Sequence, residues 1–238
     1  MSFRERTDRK ELLDEEDIPE TDLRRNLTEL EFINRYLGGH RITLRAFRQL
    51  AATPAARSIL RHRSLHICEI GCGGGDNLQV IDRWAHQQGM SLTITGVDMK
   101  ETCTHLAAEK SWHSPSSWIT RDYREADVDQ PDIVFSSLFC HHFPDSAMPG
   151  MLSWMKEKST CGFFINDLHR HPMAYHSIKW LTRAFSRSYL VRNDAPLSVR
   201  RAFVRRDWEA FLSRADIRGA RIHWQWAFRW LVLAPRQT

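Results

Sequence analysis

The chain has 238 residues, 42% of them hydrophobic and 26% charged, and Lys plus Arg outnumber Asp plus Glu by 34 to 29. That length suits one large domain, or a core with an added helical layer, and suffices to bury a substantial interior. No apolar run approaches the roughly 18 residues that span a bilayer, Met1–Lys10 is charged where a secretory leader is apolar, and the cysteines at 68, 72, 103, 140 and 161 form no CxxC pair. A cytoplasmic protein with reduced thiols is expected. The formal charge of +5 leaves anionic partners open without requiring one.

An acidic arm (Glu11, Asp14, Glu15, Glu16, Asp17, Glu20, Asp22) leads into a helix whose Leu23, Leu27, Leu30, Ile33 and Leu37 recur at helical spacing. Gly38 and Gly39 stop it. A second stripe, Ile42, Phe47 and Leu50, ends before Pro54, and a short helix follows. Residues 1–60 are therefore expected to form an arm and a helical flank or lid, and 61–238 the main domain.

The apolar run Leu65–Cys68 feeds directly into Glu69, Ile70, Gly71, Cys72, Gly73, Gly74, Gly75. Glycines at 71, 73 and 75 let a strand turn sharply into a helix and leave bare backbone on which a ligand can lie. A dinucleotide fingerprint, GxGxxG, would place its third glycine where Asp76 stands. Asp76 and Glu69 put two carboxylates beside the turn; these repel a pyrophosphate and attract S-adenosylmethionine, which carries a sulfonium and an ammonium and no phosphate. The charge pattern thus points away from an NAD(P)-dependent oxidoreductase.

Three further strand-then-acid signals follow. Leu92–Asp98 ends in an acid 23 residues past Gly75, near the spacing at which an acid meets ribose hydroxyls. Trp118–Asp122 reads as a third strand, and Asp132–Leu138 as a fourth, followed by Phe139, Cys140, His141 and His142. The helix after the glycine turn buries Leu78, Ile81 and Trp84. In this order, over roughly residues 65–170, the chain resembles the class I S-adenosylmethionine-dependent methyltransferases. The resemblance implies an α/β, Rossmann-like sheet of seven strands, the last antiparallel, within a methyltransferase domain at 61–238 that has a helical insertion at about 172–205. It also implies a cofactor site made by Glu69, Gly71, Cys72, Gly73, Gly75, Asp98, Met99, Asp122, Tyr123, Ser137 and Leu138.

A fifth strand, Gly162–Asn166, leads to Asp167, Leu168, His169, Arg170 and His171, and a mostly apolar helix at Met173–Phe185 includes Tyr175 and Trp180. Its position matches the insertion that walls the substrate pocket in small-molecule members of the family. A helix at Asp207–Ala215 and a hairpin, with Ile222, Trp224 and Trp226 alternating before Trp230–Leu233, close the chain.

If the acceptor is a hydroxyl its proton must leave, and histidine is the usual base. His141, His142 and His169 follow strands at the ligand edge of the sheet. Asp167 and His169, two apart in an extended loop, are expected to face one side as orienting carboxylate and base. The expected catalytic set is His169, His142 and Asp167, with His141 and His142 also able to cap the strand, and Tyr123 and Tyr175 to touch substrate. No metal is expected, because neighbours such as Cys140, His141 and His142 seldom converge on one ion.

Arg183, Arg187, Arg192, Arg200, Arg201, Arg205 and Arg206 face only Asp194 in their span. They suit an anionic membrane surface or a carrier-bound substrate, or form a solvated face neutralised by the acidic arm. No nucleic-acid partner is expected, since Ser136, Ser137, Leu138, Phe139 stands where the family's nucleic-acid amino-methylating members carry an Asn or Asp, Pro, Pro, aromatic motif. Leu13 and Asp14, the segment Ile33–Gly39 and the segment Asn166–Arg170 resemble a bacterial subgroup associated with polyketide or phenolic-lipid tailoring. That implies a small apolar acceptor and O-methylation of a phenol or enol, with C-methylation of a quinone-like ring or noncatalytic cofactor binding as the alternatives.

Overall fold

Strands buried on both faces are rich in apolar residues, and four such strands build the middle of the molecule in a computed structural model that describes residues 3–15 and 17–236. Glu16 of the acidic arm lies outside the described residues. The strands are β1 (Leu65–Ile70), β2 (Leu92–Asp98), β3 (Ser116–Thr120), β4 (Ile133–Ser137), β5 (Gly162–Leu168), β6 (Arg221–Gln225) and β7 (Arg229–Pro235). They lie in the order β3-β2-β1-β4-β5-β7-β6. β1 to β5 are mutually parallel, while β7 runs antiparallel to both β5 and β6. The seven-stranded α/β sheet with its antiparallel last strand is therefore present.

Helices cover both faces: α1 (Glu20–Tyr36), α2 (Gly39–Ala51), α3 (Pro54–Leu60), α4 (Asp76–Gln87), α5 (Glu101–Ala108), α6 (Met148–Lys158), α7 (Pro172–Phe185), α8 (Tyr189–Arg201) and α9 (Arg205–Arg214). On one face Ile42, Phe47 and Leu50 of α2 and Leu78 and Ile81 of α4 pack on Ile67, Ile94 and Phe135. On the other, Met151 and Leu152 of α6 and Trp208 and Phe211 of α9 pack on Val134, Phe163 and Val232. Because α2 shares a core with the sheet, the flank at residues 39–60 is part of the main body. Phe47 is fully buried there, and truncating such a ring to alanine costs about 3–5 kcal/mol. Among the described residues no helix is long and apolar enough to cross a membrane.

One element departs from the sequence reading. β3 begins at Ser116 and ends at Thr120, so Asp122 lies beyond it. Its first residues pair with Ile94 and Thr95, and the Ser117 and Thr95 hydroxyls meet at 3.0 Å; polar pairing at an edge strand leaves no apolar signal. The segment expected as a helical insertion at about 172–205 holds α7 and α8, and α8 runs through Pro196, where proline normally marks a helix end. Ser188 caps α8, and Glu29 of α1 accepts from the backbone N–H groups of Arg187 and Ser188 at 2.9 and 3.1 Å.

Candidate cofactor and acceptor site

Gly71, Gly73 and Gly75 all adopt positive φ, from 51° to 73°, which an L side chain resists. At Gly71 the need is absolute, since a Cβ there would fall 2.1 Å from the Phe139 ring. The N–H groups of Gly71 and Cys72 both donate to the Val97 carbonyl, at 2.8 and 3.1 Å. Asp98, closing β2, accepts from Gly73 N–H at 2.9 Å and from Lys100 N–H at 3.0 Å. It holds the loop in shape while each oxygen keeps lone-pair capacity for a ligand hydroxyl. Burial pushes its carboxyl up despite those two bonds.

Glu69 is fully buried at the end of β1. One oxygen accepts weakly from Asn77 Nδ2 at 3.3 Å; the other has no hydrogen-bond partner. Burial, and then the charges of Asp76 and Asp98, drives this carboxyl well above the ordinary carboxylate range. An orphaned buried acceptor beside two more carboxylates fits a cationic ligand and opposes a phosphate. The residues present thus suit S-adenosylmethionine.

A lid stands over this turn. Leu27, Leu30, Ile33 and Leu37 of the α1 stripe are only half-buried, and none belongs to a core cluster. Leu27 Cδ2 lies 3.5 Å from where a Gly73 Cβ would stand, so the stripe faces the glycine turn. Asp76 ties the lid down by accepting from Asn34 Nδ2 at 3.2 Å and pairing with His40 Nε2 at 2.6 Å. Burial raises the Asp76 carboxyl, but the His40 contact outweighs it and the net direction is downward. Arg229 donates to Asn34 Oδ1 at 2.8 Å, with its Nη1 unpartnered, and burial lowers its guanidinium to about 10. Asn34, His40 and Arg229 escaped the sequence reading; their one signal is a polar residue, Asn34, at the edge of an apolar stripe.

The remaining expected cofactor residues are spread more widely. Cys72 and Ser137 are buried and Met99 is exposed. Leu138 adopts φ 54° and donates its N–H to the Asn166 carbonyl at 3.0 Å. The Asp122 carboxylate is engaged by Arg124, at 2.5 Å from Nη2. Tyr123 packs edge-on against Phe139, Phe143 and Trp154 in the core. It backs the Phe139 ring that covers Gly71.

The histidines rearrange the expected catalytic set. Asp167 does not pair with His169. His141 donates to it, with Nδ1 2.7 Å from Oδ1 and its backbone N–H 3.1 Å from Oδ2. Burial raises the Asp167 carboxyl and His141 overrides that, holding it below the usual carboxylate range. Residues 167 and 169 share a face only in a regular strand, whereas β5 ends at Leu168 and His169 is drawn into a bridge with Phe203. Trp224 Nε1 donates to His169 Nδ1 at 3.3 Å, which puts the neutral ring's proton on Nε2. Burial, followed by the charges of His171 and Arg170, lowers His169 to about 4. A ring of that basicity is a poor general base and a competent hydrogen-bond donor. Around it stand Trp230 at 4.9 Å, His171 at 5.4 Å and, stacked on His171, Phe228.

His142 faces the N-terminal arm, where its Nδ1 meets Asp14 Oδ1 at 2.9 Å. Glu11 lies between the two imidazoles, 3.7 Å from His141 Nε2 and 3.9 Å from His142 Nε2, and burial pushes its carboxyl up to about 7. Adjacent histidines therefore do converge, contrary to expectation, because the 3-10 turn at Cys140–His142 aims both rings at the arm. Arg201 joins this cluster through Asp14 at 2.8 Å, so the acidic arm neutralises that arginine. Arg205 pairs with Glu209 instead. Tyr175, Lys179, Arg183, Arg192 and Arg200, with Arg9 of the arm, line a cavity of about 590 Å³.

Residues 67–159 match the family described as methyltransferase domain. Magnesium protoporphyrin IX methyltransferase from Synechocystis, solved with S-adenosylhomocysteine, is 15% identical, superposes with a TM-score of 0.55 and shares 87% of each chain. The plantazolicin methyltransferase, also in complex with S-adenosylhomocysteine, is 14% identical over 90% of this chain and 96% of that one, with a TM-score of 0.57. Human N-acetylserotonin methyltransferase with S-adenosylmethionine is 17% identical, covering 97% of this chain and 64% of that one, at a TM-score of 0.55. No curated protein matches the sequence. The strand order, the glycine turn and the matched segment agree: residues 67–159 are similar to a methyltransferase domain and lie within a sheet of class I methyltransferase topology.

Proposed function

We propose that this protein transfers the methyl group of S-adenosylmethionine to an oxygen of a small, apolar acceptor such as a phenol or enol, in the cytoplasm. The observation that carries the cofactor is the carboxylate set around the glycine turn, with Glu69 buried and one of its oxygens unpartnered. The bound cofactor supplies an electrophilic methyl on a sulfonium. The chain's own part is to hold the turn open through Asp98, to cover it with the α1 stripe, and to exclude water, which matters when opposite charges cancel in the transition state. Ser137, Leu138, Met99 and Asp122 complete the proposed cofactor surroundings.

The acceptor reacts as its phenolate or enolate, its proton having passed to solvent, and S-adenosylhomocysteine leaves; the acceptor wall is formed by Trp224, Phe228, Trp230 and His171, with His169 donating from Nε2 to the anionic oxygen and so orienting it. Asp167 acts as a positioning residue for His141. The basic cavity lined by Arg183, Arg192 and Arg200 suits an anionic tail or carrier phosphate attached to the acceptor; its concavity favours a compact group over a membrane surface. The second reading, methylation at a ring carbon, uses the same wall and differs in the product.

The test is incubation with methyl-labelled S-adenosylmethionine and a panel of phenols, enols and quinols, followed by product identification. Label in a methyl ether supports the proposal, and label in a ring methyl supports the second reading. No transfer to any acceptor by a protein that binds the cofactor would leave a noncatalytic binding role.

A further inference from the structure

The cluster between the N-terminal arm and the end of β4 has a geometry that the methyl-transfer reading does not use. One ligand atom from each of Glu11, His141 and His142 lies within 4.8 Å of the other two, two of the three residues being buried. The separations of 3.7 Å from His141 Nε2 to Glu11 Oε1, which also accepts from Ser198 Oγ, and of 3.9 Å from His142 Nε2 to Oε2 are too long for hydrogen bonds. They are close to the separation of about 3.3 Å between ligand atoms in a tetrahedral site with bonds of about 2.0–2.1 Å.

Each imidazole is also prepared from behind. His141 Nδ1 donates to Asp167 at 2.7 Å and His142 Nδ1 to Asp14 at 2.9 Å. Both contacts leave Nε2 on the side of Glu11, the carboxylate–histidine arrangement that orients metal-ligating histidines. Charge points the same way. Glu11 lies 3.8 Å and Asp14 2.8 Å from the Arg201 guanidinium, while Asp167 stands behind His141 and Asp194 accepts from the N–H groups of Leu12 and Leu13. Arg201 is anchored by Asp14 and by the carbonyls of His141 and His142. Neighbouring Arg6 is paired with Asp145. The acidic side chains of this cluster outnumber its one guanidinium, which favours a dication between them.

We propose that Glu11, His141 and His142 form a zinc site that pins the 3-10 turn at Leu12–Asp14 to the end of β4. Two imidazoles and one carboxylate are a zinc ligand set that leaves a fourth position for water. The site is independent of the cofactor and of the identity of the acceptor.

The experiment is to strip the purified full chain with a chelator, titrate it calorimetrically with Zn²⁺, and record the visible absorption of the Co²⁺ form. One ion per chain is expected, with Co²⁺ showing the intense bands of a tetrahedral site. Glu11→Gln and His142→Ala should each weaken binding about 100-fold, Asp14→Asn by about 10-fold or more, and His176→Ala, on the exposed face of α7, should change nothing. Absence of stoichiometric binding, a Co²⁺ spectrum of the aquo ion, or binding unchanged in both Glu11→Gln and His142→Ala would overturn the proposal. The wild-type Co²⁺ spectrum decides the matter even if those variants fail to fold.

Discussion

Asp167 and His141, 26 residues apart, form a buried pair at 2.7 Å, and this pair determines what the neighbouring histidines can do. A double-mutant cycle between positions 167 and 141 should give a coupling of about 1 kcal/mol or more in urea unfolding at pH 7, and a cycle between 167 and 169 should give nearly none. Asp167→Ala alone should cost about 1–3 kcal/mol, since it leaves the buried His141 ring N–H and backbone N–H without their acceptor. Because the Asp167 carboxyl is depressed in the folded state, its contribution is present above the unfolded value of about 3.9 and is lost as pH falls through the folded value.

Glu69 carries the opposite sign. Its carboxyl is raised on folding, so the folded chain binds that proton more tightly, and the cofactor-free protein should lose stability as pH rises from about 4.3 through the raised value. Glu69→Gln should flatten this dependence in thermal melts taken across pH. It should also weaken S-adenosylmethionine binding by about 10-fold or more, because the cation then meets a neutral amide.

The lid makes a separate prediction. His40→Ala removes the ring that meets Asp76 at 2.6 Å, loosening α1 and α2 from the glycine turn. Cofactor dissociation measured by stopped flow should quicken by about 10-fold, the equivalent of about 1.4 kcal/mol, with little change in the association rate.

His169→Phe keeps the aromatic packing against Trp230 and removes the Nε2 donor. Turnover with a hydroxyl acceptor should fall about 10-fold or more while cofactor affinity measured by calorimetry stays unchanged. A pH–rate profile that loses a limb near neutrality in this variant would instead identify His169 as the base.

What could be read in the sequence was what the chain writes locally. The run Leu65–Gly75 specifies a strand, a turn and a helix start within eleven residues, and each buried parallel strand announces itself by an apolar run ending in an acid or hydroxyl residue. The seven-stranded sheet was what the family resemblance carried by these segments implied. What could not be read depends on partners far away in the chain. His141 and His142 gain their meaning from Asp167, 26 residues downstream on β5, and from Glu11 and Asp14, on an arm about 130 residues upstream. The α1 stripe looks like any core-facing helix until its leucines are found half-buried above the glycine turn. Asp167 and His169 fail to align because the strand ends between them, and strand ends are set by pairing with β7 and by the bridge to Phe203, not by the residues themselves.

The central claim is that the carboxylates around the glycine turn hold a cationic nucleoside, and calorimetric titration of the wild-type chain tests it most directly. The account predicts saturable binding of S-adenosylmethionine and of S-adenosylhomocysteine, weakened about 10-fold or more by Asp98→Ala, which strips the Gly73 and Lys100 N–H groups of their acceptor, and no heat with NAD or NADP. Tight uptake of a nicotinamide dinucleotide together with indifference to both sulfur nucleosides would contradict it.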